Sequence, residues 1–440
     1  MKDFISRIGK AIEKINSTND TIQIVSDTDC DGVASAAIIA SGLMQKDKKF
    51  QITFNNRISD ELIESLNKKD VKLVIFTDLG SGYLDMINKL KADVIVLDHH
   101  QVEGKPSEND IHINPEEVDL RLSGAGTTYL LVKEMTGSNA LAPLAVVGTI
   151  GDVSYDTDSK LFETPMIDAQ IGLNLFGRFS RPLYKSLEYS GIPEVNDESK
   201  AIQFLSEIGI NPQKDGEWRT LSDLSEGEKK KLTDAIVKES VKHGNFSKKM
   251  FFTDVLTLKN FPEELKDAKE FATILNACGN MNEPSIGLTL CLSNGKNLQS
   301  ARNLLKAYRK VIGNYRNWVD ANPSCKRCTD NAIYIFGQDN INENFIGTII
   351  SMMFKPEEKT MIGFGNAKDG IKVSARSKTF NIREVMVEAA KIVEGVGGGH
   401  EGAAGAMLPS GTQEKFAEAC EAIMKRLQDE KEAVKAQATS

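Results

Sequence analysis

The sequence is short of the residues from which disulfide scaffolds, zinc modules and membrane spans are built. Its 440 residues include six cysteines, five histidines and two tryptophans, and aromatics make up 7%. Six thiols cannot staple so long a chain, and Cys30 lies inside an acidic run, so reduced cysteines and a cytoplasmic location are expected. Cys325 and Cys328 form a single Cys-x-x-Cys with no second pair at zinc-site spacing, which reads as two thiols in a linker. The longest apolar stretch, Phe345 to Phe354, is broken by Gly347, Thr348 and Ser351 and is too short to span a bilayer, so no membrane is expected as a partner. Near the start, Phe4, Ile5, Ile8, Ala11, Ile12 and Ile15 recur at helical spacing, the pattern of an amphipathic helix rather than of a signal peptide. Excess positive charge is also missing. Sixty-two acidic residues against 54 basic ones leave a net charge of -8, which excludes a passive binder of polyanions. Nucleic acid would have to be held through local basic patches or bound cations.

With 40% apolar and 26% charged residues, the composition is that of an ordinary globular protein, and the length suggests two or three domains. From Thr21 to Leu97, short β-branched runs (Ile22 to Val25, Phe50 to Phe54, Leu73 to Phe76, Val94 to Leu97) alternate with amphipathic stretches. Four strands separated by helices predict an α/β fold with a doubly wound parallel sheet, whose chemistry belongs just beyond the carboxyl ends of the strands. The expected organisation is a parallel-sheet core over 1–155, a mostly helical, charge-rich insert over 156–260 that reads as a solvated spacer, and a region over 261–330 ending in a basic interdomain helix. A smaller α/β domain over 331–410 and a C-terminal helix over 411–440, frayed beyond Gln428, complete it. In the long helix, Arg302, Lys306, Arg309 and Arg316 share one stripe, with Leu304, Leu305, Tyr308, Val311, Ile312 and Tyr315 opposite and no acidic residue between Lys296 and Arg316. Such a stripe is either a solvated face or an electrostatic track for a phosphate backbone.

Four constellations follow apolar runs. In Ser26-Asp27-Thr28-Asp29-Cys30-Asp31-Gly32, three carboxylates on alternate residues repel one another, and divalent cations would relieve them; an acidic turn or a calcium loop is the plainer alternative. Asp78 lies two residues after a strand and could alternatively be a helix cap. Asp98-His99-His100 brings together two of the five histidines, one able to ligate a metal and the other to face a substrate. Gly148-Thr149-Ile150-Gly151-Asp152 ends an apolar run in one carboxylate. Carboxylates with imidazole suit Mn²⁺ or Mg²⁺ better than thiolate-bound zinc, and several bridging carboxylates favour two ions, which makes phosphoester hydrolysis the natural reaction class.

These four motifs, in this order, resemble the DHH phosphoesterase superfamily. Gly397-Gly398-Gly399-His400 with Ala403-Ala404-Gly405, and Lys372-Val373-Ser374-Ala375-Arg376, resemble the associated DHHA1 domain. The two domains with an Asp-x-Asp-x-Asp-Gly first motif are similar to RecJ nucleases, particularly their archaeal, GINS-associated relatives. The resemblance implies that Asp31, Asp78, His99 and Asp152 hold one metal and Asp29 with bridging Asp78 the other, with Asp27 completing that site. His100 would contact the scissile phosphate, and Asp98 would support the ligands. It further implies a terminal-phosphate pocket from Arg57, Ser374 and Arg376, and strand contacts from Gly398, Gly399 and His400 in a cleft between the domains. Arg302, Lys306 and Arg309 would extend that track. Asn280 departs from the pattern, since the family often has arginine or lysine there.

The expected function is thus a two-metal exonuclease acting on single-stranded DNA or RNA, 5′ to 3′ on DNA by family resemblance, in replication or repair. Two alternatives remain. One is a nanoRNase-like or other small-substrate phosphodiesterase, and the other is a replication scaffold that binds the GINS complex.

Overall fold

The computed structural model describes residues 2–152, 164–243, 252–293, 295–355, 359–368 and 370–438. They form two compact units, 1–302 and 303–440.

The first unit opens with α1 (Lys2–Ser17), which buries Phe4, Ile8, Ala11 and Ile15. It continues through β1 (Ile22–Ser26), α2 (Cys30–Gln45), β2 (Phe50–Phe54), α3 (Asp60–Lys68), β3 (Leu73–Thr77), α4 (Leu84–Ile87), β4 (Asp93–Leu97), β5 (Ile111–Ile113), α5 (Gly124–Thr136) and α6 (Ala142–Gly151). The strands pair in parallel in the order β2-β1-β3-β4-β5. Strands β1 and β3 are buried throughout, as unbroken apolar runs require when helices cover both faces. Ile63 and Leu66 of α3 and Leu84 and Ile87 of α4 pack on one face. Helix α2, apolar almost all round, is buried against α5 and α6 on the other. The sequence pattern predicts four strands, and β5 is a fifth, three residues long and so too short to show a period.

The register decides where chemistry gathers. Ser26 pairs with Thr77, and Thr77 with Leu97, so Asp27, Asp78 and Asp98 leave three neighbouring strands at one level. The chain runs from β1 to β2 on one side and then crosses to β3 on the other, which makes β1/β3 the topological switch point.

Next come β6 (Ile167–Leu173), α7 (Leu183–Glu188), α8 (Glu198–Glu207), the two-residue strands β7 (Gln213–Lys214) and β8 (Glu217–Trp218), α9 (Glu226–Lys242) and β9 (Phe252–Leu258). Instead of a solvated spacer, this region has a core of its own, including Leu183, Leu187, Leu205, Leu232 and Ile236, and a β6–β9 antiparallel ribbon. Its lysines and glutamates occupy the outer faces of helices whose inner positions are apolar, so overall charge conceals the core. Helices α10 (Ala268–Asn280) and α11 (Pro284–Leu292) then pack back against α2.

Helix α12 (Leu298–Ala321) runs on into the second unit. That unit holds β10 (Lys326–Cys328), β11 (Ala332–Phe336), α13 (Glu343–Met353), β12 (Thr360–Ala367), β13 (Gly370–Arg376), α14 (Ile382–Ile392), β14 (Val396–His400), β15 (Ala403–Leu408) and α15 (Gln413–Ala438). Its mixed sheet has the order β10-β11-β12-β13-β15-β14. Cys328 lies on the edge strand β10, not in a linker, and every cysteine is a free thiol. The glycine run lies on the edge strand β14. Helix α15 continues past Gln428 to Ala438, where a frayed tail is expected, in keeping with the high helix propensity of its alanine, lysine and glutamate residues.

Candidate metal centre and active site

Asp29 caps α2, accepting a hydrogen bond from Gly32 N at 3.1 Å. Asp31, in the first turn of α2, is buried and both its oxygens are engaged. Its Oδ1 accepts from Ser123 Oγ (2.9 Å) and Ala125 N (3.0 Å), and its Oδ2 from Gly124 N (2.7 Å). The start of α5 therefore cradles this carboxylate. Asp78 follows β3 with φ 54°, a left-handed conformation that a non-glycine residue adopts at a cost and that marks a site held by its surroundings. Neighbouring backbone comes so close that a methyl group on Gly124 would overlap Asp78 Oδ1, and one on Gly148 would lie 2.5 Å from Asp31 Oδ1.

His99 converges on three of these acids. Its Nε2 lies 3.4 Å from Asp78 Oδ1, 3.6 Å from Asp152 Oδ2 and 3.8 Å from Asp31 Oδ2. Asp27, Asp29 and Asp78 form an adjoining group whose ligand atoms lie within 4.8 Å of one another. Asp78 Oδ1 and Asp152 Oδ2 are buried yet accept no hydrogen bond from any described residue. A buried carboxylate oxygen left in that state costs about 1–3 kcal/mol or more. Burial, and then Asp31 and Asp29, push Asp78 well above the usual carboxylate range; burial and then Asp152 push Asp31 up to about 6. Burial also raises Asp29. Oxygen donors with one imidazole, unsatisfied and crowded with negative charge, fit a hard divalent cation.

Behind the acids, Asp98 works as an anchor. Its Oδ1 accepts from His99 N (2.8 Å) and lies 2.8 Å from His100 Nδ1, while its Oδ2 accepts from Ser81 N (2.8 Å). Burial alone would raise Asp98, but His100 holds it well below the carboxylate range. Burial likewise opposes charge on His100, but Asp98 outweighs it and pushes the imidazole up to about 10. Sequence reasoning missed what stands behind this pair. Asn114 Nδ2 donates to His100 O (2.7 Å) and Ser81 Oγ (3.0 Å), and Ser81 Oγ lies 2.9 Å from His112 Nε2. His112, buried on β5, faces Glu117 at 2.9 Å, and Glu117 is held in turn by Arg7. The available signal was a third histidine, twelve residues beyond His100, in an otherwise apolar Ile-His-Ile.

Arg57 is exposed in the loop after β2, near enough to Tyr83 to act on it electrostatically, as Asp27 does. In the second unit, Ser374 and Arg376 lie two residues apart on β13, hence on one face, and Arg376 Nη1 contacts Ser374 Oγ at 3.3 Å. Burial pulls the Arg376 guanidinium below its usual range, and among the described residues no carboxylate pairs with it. Gly398 and His400 are on β14, where Gly398 pairs with Gly405 and His400 with Ala403. On α12, Arg302, Lys306, Arg309 and Arg316 are exposed while Leu305, Tyr308 and Ile312 are buried, and Arg302 is paired with Glu264 at 3.0 Å.

Family models match three segments. They are the DHH family N-terminal domain over 21–149, the DHH-CID domain over 175–251 and the DHHA1 domain over 329–429. An uncharacterized protein of Methanocaldococcus jannaschii is 30% identical over 441 residues, which cover 94% of this chain and 95% of that protein. The chain belongs to the DHH family. The segment matched by the DHH model carries Asp27, Asp29, Asp31, Asp78, Asp98, His99 and His100, with Asp152 three residues beyond it, and the DHHA1 domain carries Ser374, Arg376 and the glycine strand. RecJ from Thermus thermophilus in complex with Mn²⁺ shares the fold, with TM-score 0.61 and 17% identity over 96% of this chain and 55% of that one. A SPbeta prophage-derived protein of Bacillus subtilis, named for single-strand DNA-specific exonuclease activity, is 30% identical over 166 residues, 35% of this chain and 28% of its own. No helix among the described residues is long and apolar enough to cross a membrane.

Proposed function

We propose that this DHH protein is a metal-dependent exonuclease that hydrolyses phosphodiester bonds of single-stranded nucleic acid, 5′ to 3′ on DNA. The observation that carries this reading is the convergence of Asp31, Asp78 and Asp152 on His99, with buried carboxylate oxygens left unsatisfied. In this reading, Asp31, Asp78, His99 and Asp152 hold one divalent cation, and Asp27, Asp29 and Asp78 a second. Mn²⁺ or Mg²⁺ held by these residues would supply electrophilic charge to the phosphoryl group and acidify a water. His100, fixed through Nδ1 by Asp98, keeps its Nε2–H to donate to a phosphate oxygen and remains charged through neutral pH. Arg376, a half-buried guanidinium beside a hydroxyl, is suited to a terminal phosphate, and Arg57 is a further cation suited to phosphate. The exposed basic side of α12 supports a polymer rather than a dinucleotide as substrate. The intact ligand set supports catalysis over a purely scaffolding role; binding of GINS is a separate proposal on family resemblance.

The test is digestion of end-labelled single-stranded DNA and RNA with Mn²⁺ or Mg²⁺, wild type beside Asp78→Ala and His99→Ala. A metal-dependent ladder from the 5′ end, lost in both variants, is expected. Cleavage at the wild-type rate in either variant would refute the metal assignment.

A further inference from the structure

We infer, on the metal reading just proposed, that Asn276 is a positioning residue of the metal centre, tying the acid loop after β1 to the segment that carries Asp152.

Three segments distant in sequence meet at this side chain. Asn276 Oδ1 accepts from Cys30 N at 3.0 Å, the amide that lies between Asp29 and Asp31. Its Nδ2 donates to Gly151 O at 3.5 Å, one residue before Asp152. The backbones are in close contact at the same place. A methyl group on Gly151 would overlap Cys30, and one on Gly279, the next turn of α10, would overlap the carbonyl of Thr28. The last turns of α10 thus rest directly on the acid loop.

The other end of α10 is equally fixed. Its capping residue Asp267 takes a 2.6 Å bond from Arg178 Nε, and Glu270 one of 2.6 Å from Ser180 Oγ. Both partners lie in the segment matched by the DHH-CID model. A helix pinned at both ends is a rigid support, and Asn276 is where it grips the two ligand-bearing segments. The physical need is plain. Asp29 and Asp31 share a small volume with Asp152, whose charge opposes theirs, and an untied loop would move apart to relieve the repulsion. A tie that acts before the cation arrives spares the cation that work.

The experiment uses the full chain and reads Mn²⁺ binding by calorimetry alongside kcat and KM. Asn276→Leu is nearly isosteric and removes both hydrogen bonds, Asn276→Ala repeats the loss without bulk, and Thr273→Val on the same helix is the control. Both Asn276 variants should keep the wild-type near-ultraviolet spectrum without metal, bind Mn²⁺ at least tenfold more weakly and lose kcat with little change in KM, with the control unchanged. Folded variants with a wild-type isotherm overturn the inference, as does loss of the fold in both, which would make Asn276 structural. A wild-type chain that binds Mn²⁺ but cleaves nothing overturns only the nuclease reading, because the isotherms still decide the role of Asn276. A wild-type chain that binds no Mn²⁺ overturns both.

Discussion

Asp98 Oδ1 lies 2.8 Å from Nδ1 of His100, and Ser81 N–H holds the other oxygen of the same carboxylate at 2.8 Å. The pair therefore keeps His100 charged far above the ordinary histidine range. Asp98→Asn removes the charge that does this, so His100 should titrate nearer 6.5. Cleavage should fall about 10- to 100-fold at pH 8, the worth of a hydrogen bond to a charged group, and less at pH 6, where the imidazole is still largely protonated. Rates at the two pH values check this, and a loss equal at both would contradict it.

Gly124 admits no side chain because Asp78 Oδ1 occupies the space. Gly124→Ala should displace that carboxylate and cost about 1–3 kcal/mol through overpacking. The expected result is weaker Mn²⁺ binding with a lower melting temperature. A variant that binds Mn²⁺ like the wild type would show that Asp78 is not held where a ligand must be.

Asp31 has a folded-state pKa raised to about 6, chiefly by burial. A carboxyl raised in this way stabilises the fold fully below its unfolded value of about 3.9, and that stability is lost as pH climbs through 6. The loss is on the order of 2–3 kcal/mol at most. In EDTA the melting temperature should fall between about pH 4 and 6, Mn²⁺ at pH 7 should restore it, and Asp31→Asn should flatten the EDTA profile. A wild-type profile in EDTA that matches that of Asp31→Asn would refute the assignment.

The acids and histidines of the first three motifs were legible because each motif follows an apolar run that reads as a buried strand, the position where this fold gathers chemistry, whereas Asp152 caps the end of the apolar helix α6. What supports them was hidden for different reasons. The left-handed backbone of Asp78, φ 54°, is a conformation that aspartate can adopt but that its sequence position does not announce. Ser81, Asn114 and His112 meet across strand ends, in a network whose central strand is three residues long. Asn276 lies 246 positions from the amide it holds, and no local pattern marks such a contact. Ser123 came nearest to being readable, since a serine before Gly-Ala-Gly signals a helix cap, yet that signal says nothing of the carboxylate the cap would cradle.

Arg376 should discriminate among strand ends. Arg376→Ala removes the half-buried guanidinium beside Ser374, and is expected to raise KM at least tenfold for a 5′-phosphorylated strand while leaving Mn²⁺ affinity untouched. Parallel assays on 5′-phosphate and 5′-hydroxyl oligonucleotides measure it. Equal effects on both ends would remove Arg376 from any terminal-phosphate role.

Lys306 and Lys310 separate the polymer reading from the small-substrate one. Both are exposed on α12 beside Arg309, while the buried side of the helix is anchored by Leu305, Tyr308 and Ile312. Alanine at either lysine therefore leaves the packing of the helix intact and removes only charge. If a strand's phosphates run along this face, each substitution should weaken binding of a 30-mer at low salt and reduce the slope of log affinity against log salt by about one, the counterion released per phosphate contact. Hydrolysis of a dinucleotide, which has no strand to lay along the helix, should be unchanged. A wild-type chain that prefers the dinucleotide, with a salt slope indifferent to both lysines, would make the basic side of α12 a solvated face and the enzyme a small-substrate phosphodiesterase.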